Sequence, residues 1–273
     1  MAIVSFGLLP SLSWAEPSIP DDRVLRVRDG SSARQYALGD LVAAIGLTEL
    51  EVAKDPHFGD RVFAGFELGA LLEHVGLGDA PELLLVCQDG YSIPFEASML
   101  SQSALQALLA VRDTALPVGG EAHWAEFRHG SELIDFDPFY LVWASSDASI
   151  DLGTEVVPWP FQLTEIRRFD RARYFAPARP TTSAGEDVRA GFATYTAHCG
   201  KCHRMRGVGG ELGPALDRQG SLASVFTTAQ LRDYVRHDGT RYPQSKMPQF
   251  SNLLSPAEID QVVAYLQAMQ PGR

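Results

Sequence analysis

Cys199-Gly200-Lys201-Cys202-His203 is the stretch from which the rest of this 273-residue chain can be read. Two thiols three positions apart on one helical turn can both add to the vinyl groups along one porphyrin edge. The imidazole directly after the second thiol then lies under the iron. C-x-x-C-H is therefore a c-type haem attachment pattern. Small Gly200 lets the turn come close to the ring. A zinc site would need a second ligand pair at similar spacing, and the only other cysteine is the distant Cys87. The expectation is one covalent haem c, carried by Cys199 and Cys202, with His203 as the proximal iron ligand.

The flanking segments read as helices. Glu186 to Ala197 runs into the motif, and Gly191, Tyr195 and Cys199 fall four apart, on one helix face. Pro256 to Met269 is amphipathic: Ile259, Val262, Val263, Leu266 and Met269 repeat with helical period. Ser255 is its expected N-cap, with Pro256 at the first helical position and Glu258 completing a capping box. Gly191 would let these two helices cross closely, with Tyr195 and Tyr265 packing at the crossing.

Together these motifs resemble a class I cytochrome c. The carrying residues are Gly191-x-x-x-Tyr195-x-x-x-Cys199-x-x-Cys202-His203, then Gly213-Pro214-x-Leu216, then Met247-Pro248, then the terminal helix with Tyr265. The resemblance implies an all-α domain over residues 186–273. It also implies that the Pro214 carbonyl accepts the second ring N–H of His203, fixing the imidazole plane. Met247 would be the distal ligand, on a loop stiffened by Pro248, and His/Met ligation raises the reduction potential. Three rivals exist for the distal position. Met205 is too close to His203 in sequence to reach the opposite haem face, Met269 falls in the terminal helix, and His237 would give bis-His ligation. Lys201, Arg204, Arg206 and Lys246 could ring the haem edge as a cationic collar for an acidic partner, this chain's own first half included, or be ordinary solvated charge.

Composition is that of a globular protein, 45% hydrophobic and 21% charged, with a formal net charge of −11. The charge is uneven. Residues 1–184 hold 26 Asp/Glu and 13 Lys/Arg, a net of −13, while residues 185–273 hold eight and ten, a net of +2. Nucleic acid is an unfavourable partner for such a chain. Met1 to Ala15 carry no charge, contain Ala2-Ile3-Val4 and Phe6-Gly7-Leu8-Leu9, and end in Ser13-Trp14-Ala15. Residues 1–15 read as a secretory signal peptide cleaved before Glu16, although no Lys or Arg precedes the apolar run. The mature protein is expected to be periplasmic, with no integral membrane segment after cleavage.

Residues 16–175 read as a mixed α+β domain. Val24 to Val27 is a short strand ended by Asp29-Gly30, with a return strand at Arg34 to Leu38. Asp40 could cap a helix Leu41 to Ile45. Leu50 to Ala53 pairs with Arg61 to Phe66, and Glu67 to Val75 is helical. Leu83 to Cys87 is a continuous apolar strand, turned by Asp89-Gly90 into Tyr91 to Phe95. Further strands are expected at Phe139 to Ala144 and Phe161 to Phe169. Gly65-Phe66-Glu67-Leu68 with Leu71-Leu72, then Gln88-Asp89-Gly90-Tyr91, Leu108-Leu109-Ala110 and Pro158-Trp159-Pro160-Phe161-Gln162-Leu163-Thr164-Glu165-Ile166 resemble the sulfite-oxidase-like molybdopterin-binding domain. Catalytic members carry a molybdenum-ligating cysteine in a loop before the position of Gly65-Phe66, and no cysteine stands there. Cys87 is expected to be a small core residue instead of a molybdenum ligand. Molybdopterin is accordingly not expected. His57, His74, His123 and His129 are read as scattered surface histidines, since no carboxylate or thiol completes a metal-ligand spacing for His123 and His129.

Pro177, Pro180, Thr181, Thr182 and Ser183 mark residues 176–185 as a semi-extended linker. The leading expectation is an electron-transfer protein carrying single electrons between redox partners, such as a periplasmic dehydrogenase or oxidase, with the first domain as a docking module and no catalytic residue. The alternative is a haem-fused molybdenum oxidoreductase of the sulfite dehydrogenase kind, which the missing cysteine opposes. A haem-based gas sensor is a third reading that no residue favours.

Overall fold

The computed structural model describes residues 22–120, 122–150, 152–154, 157–241 and 245–271. The signal-peptide reading of Met1 to Ala15 lies outside the described residues. The first unit is built from β1 (Val24–Asp29), β2 (Ser32–Ala37), α1 (Leu38–Ile45), β3 (Thr48–Asp55), β4 (Gly59–Glu67), α2 (Leu68–Val75), β5 (Glu82–Cys87), β6 (Ser92–Glu96), β7 (Leu105–Asp113), β8 (Phe127–His129), β9 (Glu132–Ile134), β10 (Tyr140–Ser145) and β11 (Leu163–Arg168). One sheet has the order β2-β1-β11-β5-β6, a second β10-β7-β4-β3, and β8-β9 is a separate hairpin. β1 and β11 run parallel, and the other pairings are antiparallel.

Side-chain periodicity explains the core. On β1, Leu25 and Val27 point inward while Arg26 and Arg28 face solvent. On α2, Leu68, Leu71, Leu72 and Val75 form the buried stripe. Glu67 caps its start by accepting from Gly69 N at 2.9 Å and Ala70 N at 2.6 Å. Both sheets, α1 and α2 contribute to one apolar core containing Phe63, Phe66, Leu109 and Trp143.

Several boundaries differ from the sequence expectation. The return strand starts at Ser32, not Arg34, so β1 and β2 pair directly across Gly30. Helix α1 starts at Leu38; its N-cap is Ala37, with no side-chain cap bond, and Asp40 sits in the first turn, where it complements the helix dipole. β11 begins at Leu163 because Gln162 adopts φ 55°, which breaks the extended run from Phe161. β7, at the centre of the second sheet, and the β8-β9 hairpin were not anticipated as strands.

The second unit carries α4 (Glu186–Ala197), α5 (Leu222–Val225), α6 (Thr228–Arg241) and α7 (Pro256–Ala268); α3 (Arg171–Tyr174) precedes it. Helix α4 has the expected bounds. The capping box of α7 is complete: Glu258 N donates to Ser255 Oγ, and Ser255 N donates to Glu258 Oε2 at 2.8 Å. At the α4-α7 crossing a Cβ on Gly191 would lie 1.9 Å from Gln261 O, and the Tyr195 and Tyr265 rings are 5.3 Å apart. Helix α6 was not anticipated, and it kinks at His237.

The 176–185 segment opens with a structured turn where a semi-extended linker was expected. Ala176–Ala178 is a 3-10 turn, and Ala178 is buried, with its carbonyl accepting from Tyr265 Oη at 2.7 Å. Phe175 and Ala178 are its buried apolar anchors, and the Pro, Ser and Thr residues around them carry no signal of it. The second core also reaches into the first unit, since Leu84 on β5 belongs to it and Val86 packs against it.

Candidate functional site

Helix α4 delivers the thiols. After Ala197 the chain tightens into a 3-10 turn, Cys199–Lys201, with Cys202 N and His203 N both donating to Cys199 O, at 3.1 Å and 2.9 Å. Both thiols and the imidazole therefore come from one turn. Cys199 is buried and Cys202 half-buried. Burial pushes the Cys199 thiol up to about 12 and the Cys202 thiol up to about 11.

The His203 ring is held on two sides. Its Nδ1 lies 2.7 Å from Pro214 O. A carbonyl oxygen only accepts, so Nδ1 carries the proton, and Nε2 is the basic nitrogen of the neutral ring. Gly213 lies against the imidazole so closely that a Cβ there would be 2.2 Å from Cε1. Gly213 N donates to Cys202 O at 2.8 Å, which ties this segment back to the turn.

Tyr195, expected only as a packing residue, has a second role. Its hydroxyl lies 3.0 Å from His203 O and 3.1 Å from Val208 O, and donates between them. It anchors the backbone of the histidine. The sequence signal was its place one helical turn before Cys199, but a hydroxyl's partner cannot be read from spacing. The smallness of Gly200 also has a local cause, since a Cβ there would come 3.2 Å from both Phe175 Cε1 and Tyr195 O.

Met247 packs against the second core from the segment before the 3-10 turn Phe250–Asn252. Of its rivals, Met205 is fully buried and bridged to Val208, and Met269 is the buried C-cap of α7. His237 occupies the kink in α6 at φ −132°.

The cations expected as a collar are largely spoken for. Arg204 pairs with Glu211 at 2.9 Å, Arg206 donates to Met269 O at 3.3 Å, and Lys246 reaches Glu132 of the first unit at 3.2 Å. Asp89 and Lys201 both act on the Cys202 thiol, with burial the larger cause: Asp89 raises its pKa and Lys201 lowers it.

In the first unit Cys87 is buried, at 5% exposure, as expected of a core residue. The histidines are less uniform than expected. His74 and His129 are exposed, but His57 and His123 are not loose surface groups. His57 Nδ1 lies 2.8 Å from Tyr140 Oη, which donates to Asp55 Oδ2 at 2.9 Å, and Phe127, Phe136 and Phe161 surround the ring. Burial lowers the His57 pKa to about 4 and raises that of Asp55. His123 and Trp124 both bond to Asp137. Among the described residues no three His, Cys, Asp or Glu side chains converge as a metal site.

Residues 186–266 match the family described as cytochrome C oxidase, cbb3-type, subunit III. This stretch is a cytochrome c domain. The match begins at the first residue of α4 and ends within α7, so it spans both helices of the crossing and the whole attachment turn. A cytochrome c domain binds haem c and serves haem-based electron transfer. The side chains fit that group: two thiols on one turn, an imidazole with Nε2 as its basic nitrogen, and a thioether against the same core. Comparison with curated proteins gives no match. Among the described residues no helix is long and apolar enough to cross a membrane.

Proposed function

We propose that this chain is an exported, periplasmic mono-haem c-type cytochrome that carries single electrons between redox proteins. In this reading residues 1–15 are the signal peptide, 16–175 a sulfite-oxidase-like unit that works without molybdopterin as a docking module, 176–185 the connection and 186–273 the cytochrome domain. Cys199 and Cys202 hold the haem through thioether bonds, His203 is the proximal ligand and Met247 the distal one. When bound, the haem supplies one-electron Fe(II)/Fe(III) chemistry.

The observation that carries the reading is the 2.7 Å contact from His203 Nδ1 to Pro214 O on the C-x-x-C-H turn. It fixes the tautomer and the ring plane before any metal arrives, which is what an axial imidazole requires. Gly213 and Tyr195 hold the ring and its backbone in that pose. Side chains in both axial positions leave no open coordination site for a substrate, which suits transfer and not catalysis.

Metal analysis of the purified, haem-loaded protein tests this. The expected result is one iron per chain, no molybdenum, and a single reversible one-electron wave. Near-equal iron and molybdenum would overturn it in favour of a haem-fused molybdenum oxidoreductase.

A further inference from the structure

The first unit touches the cytochrome domain beside both proposed axial ligands. On the His203 side, Glu211 N donates to Gly90 O at 2.6 Å. Gly90 has φ 90°, a conformation that side chains rarely adopt, and a Cβ there would lie 2.8 Å from Glu211 C. The β5-β6 turn and the 211–212 backbone therefore meet with nothing between them. The same segment is tied to the attachment turn, by Gly210 N to Gly200 O and by Gly213 N to Cys202 O, both at 2.8 Å. It ends at the Pro214 carbonyl that faces His203 Nδ1. The Pro214 segment is thus pinned to the haem turn on one side and to the first unit on the other.

On the Met247 side, Lys246 precedes Met247, and its Nζ lies 3.2 Å from Oε1 of Glu132, the first residue of β9. Leu84 and Val86 of β5 join the cytochrome core, so the first unit meets the cytochrome domain through shared apolar packing as well as through these two contacts.

We propose that the first unit is a clamp across the haem crevice, with Gly90 and Glu132 as positioning residues for the loops that present His203 and Met247. The inference rests on the electron-transfer reading and adds to it: the first unit acts on the haem site itself. A thioether is a weak iron donor, so how firmly it stays bound depends on how well its loop is pre-organised. Loosening either contact makes the distal position easier to vacate.

The test uses the full-length, haem-loaded protein as wild type, Glu132→Gln, Gly90→Val and the charge swap Glu132→Lys with Lys246→Glu. The readouts are the near-infrared methionine-to-Fe(III) charge-transfer band, the carbon monoxide affinity of the reduced form and the midpoint potential. Glu132→Gln is expected to weaken the band, raise carbon monoxide affinity about threefold, as loss of one exposed ion pair would, and lower the potential. The swap is expected to restore all three, and Gly90→Val to exceed Glu132→Gln. Glu132 is exposed, so its substitution is tolerated even where Gly90→Val fails to fold. Unchanged band, affinity and potential in Glu132→Gln would overturn the clamp while leaving the electron-transfer reading intact. A wild type with no methionine band would overturn the assignment of Met247 and the clamp with it.

Discussion

His57 shows how one side chain of the first unit can carry a measurable pH signature. Its ring sits among Phe127, Phe136 and Phe161 and is held neutral by burial, with a pKa near 4 against 6.5 for an ordinary histidine. The unfolded chain therefore binds a proton between pH 6.5 and 4 that the folded chain refuses. The stabilisation is fully present above pH 6.5 and is lost as pH falls towards 4, amounting to about 3 kcal/mol. Asp55 beside it works in the opposite sense, because its raised pKa costs stability as pH climbs through that value. Urea titrations at pH 4.5 and 7 are expected to show a smaller pH-dependent difference in His57→Gln than in wild type. Equal differences in both would place the proton uptake elsewhere.

At the scale of elements, the α4-α7 crossing is the feature on which the C-x-x-C-H turn depends. Helix α4 aims Cys199, and α7 backs it through the Tyr195-Tyr265 pair. The crossing is as close as a side-chain-free position allows, with Gln261 O 1.9 Å from where a Cβ at Gly191 would stand. Gly191→Ala is expected to cost about 1–3 kcal/mol, the usual range for overpacking, read as a lower urea midpoint with an unchanged slope. An unchanged midpoint would mean the helices can part without loss. The strand β5 makes the complementary point. Its run of apolar residues lacks the in-out alternation of β1 because both faces are covered, Leu83 and Leu85 by the first core, Leu84 and Val86 by the second.

For the whole molecule, that shared strand joins the two units through packing on both of its faces. Phe175 and Ala178 fill the junction, Tyr174 Oη accepts from Gly209 N at 3.0 Å, and Tyr265 Oη donates to Ala178 O. Thermal unfolding of the intact protein is expected to give one transition. Leu84→Ala is expected to remove about 2–5 kcal/mol, the range for a buried leucine, and to split the transition in two. Two transitions already in the wild type would show that the shared core does not couple the units.

The C-x-x-C-H turn, the helix running into it, the capping box of α7 and the Gly191 crossing are all legible in the amino-acid sequence. Each depends on residues close together along the chain, or on a pattern that only one local geometry satisfies. The same holds for the β1-β2 and β3-β4 pairs, whose turns are marked by Gly30 and Gly59. Tertiary structure alone decided the rest. The two hydroxyl contacts of Tyr195, the buried state of His57 and the docking of Gly90 on Glu211 join residues whose spacing carries no signal. The structured start of the 176–185 segment belongs with them, because Phe175 and Ala178 find their partners only once both units are folded. Local sequence sets what a segment can form. Which long-range partner completes a buried polar group or covers a second apolar face is settled only when the cores close, since leaving either uncovered costs more than any local preference supplies.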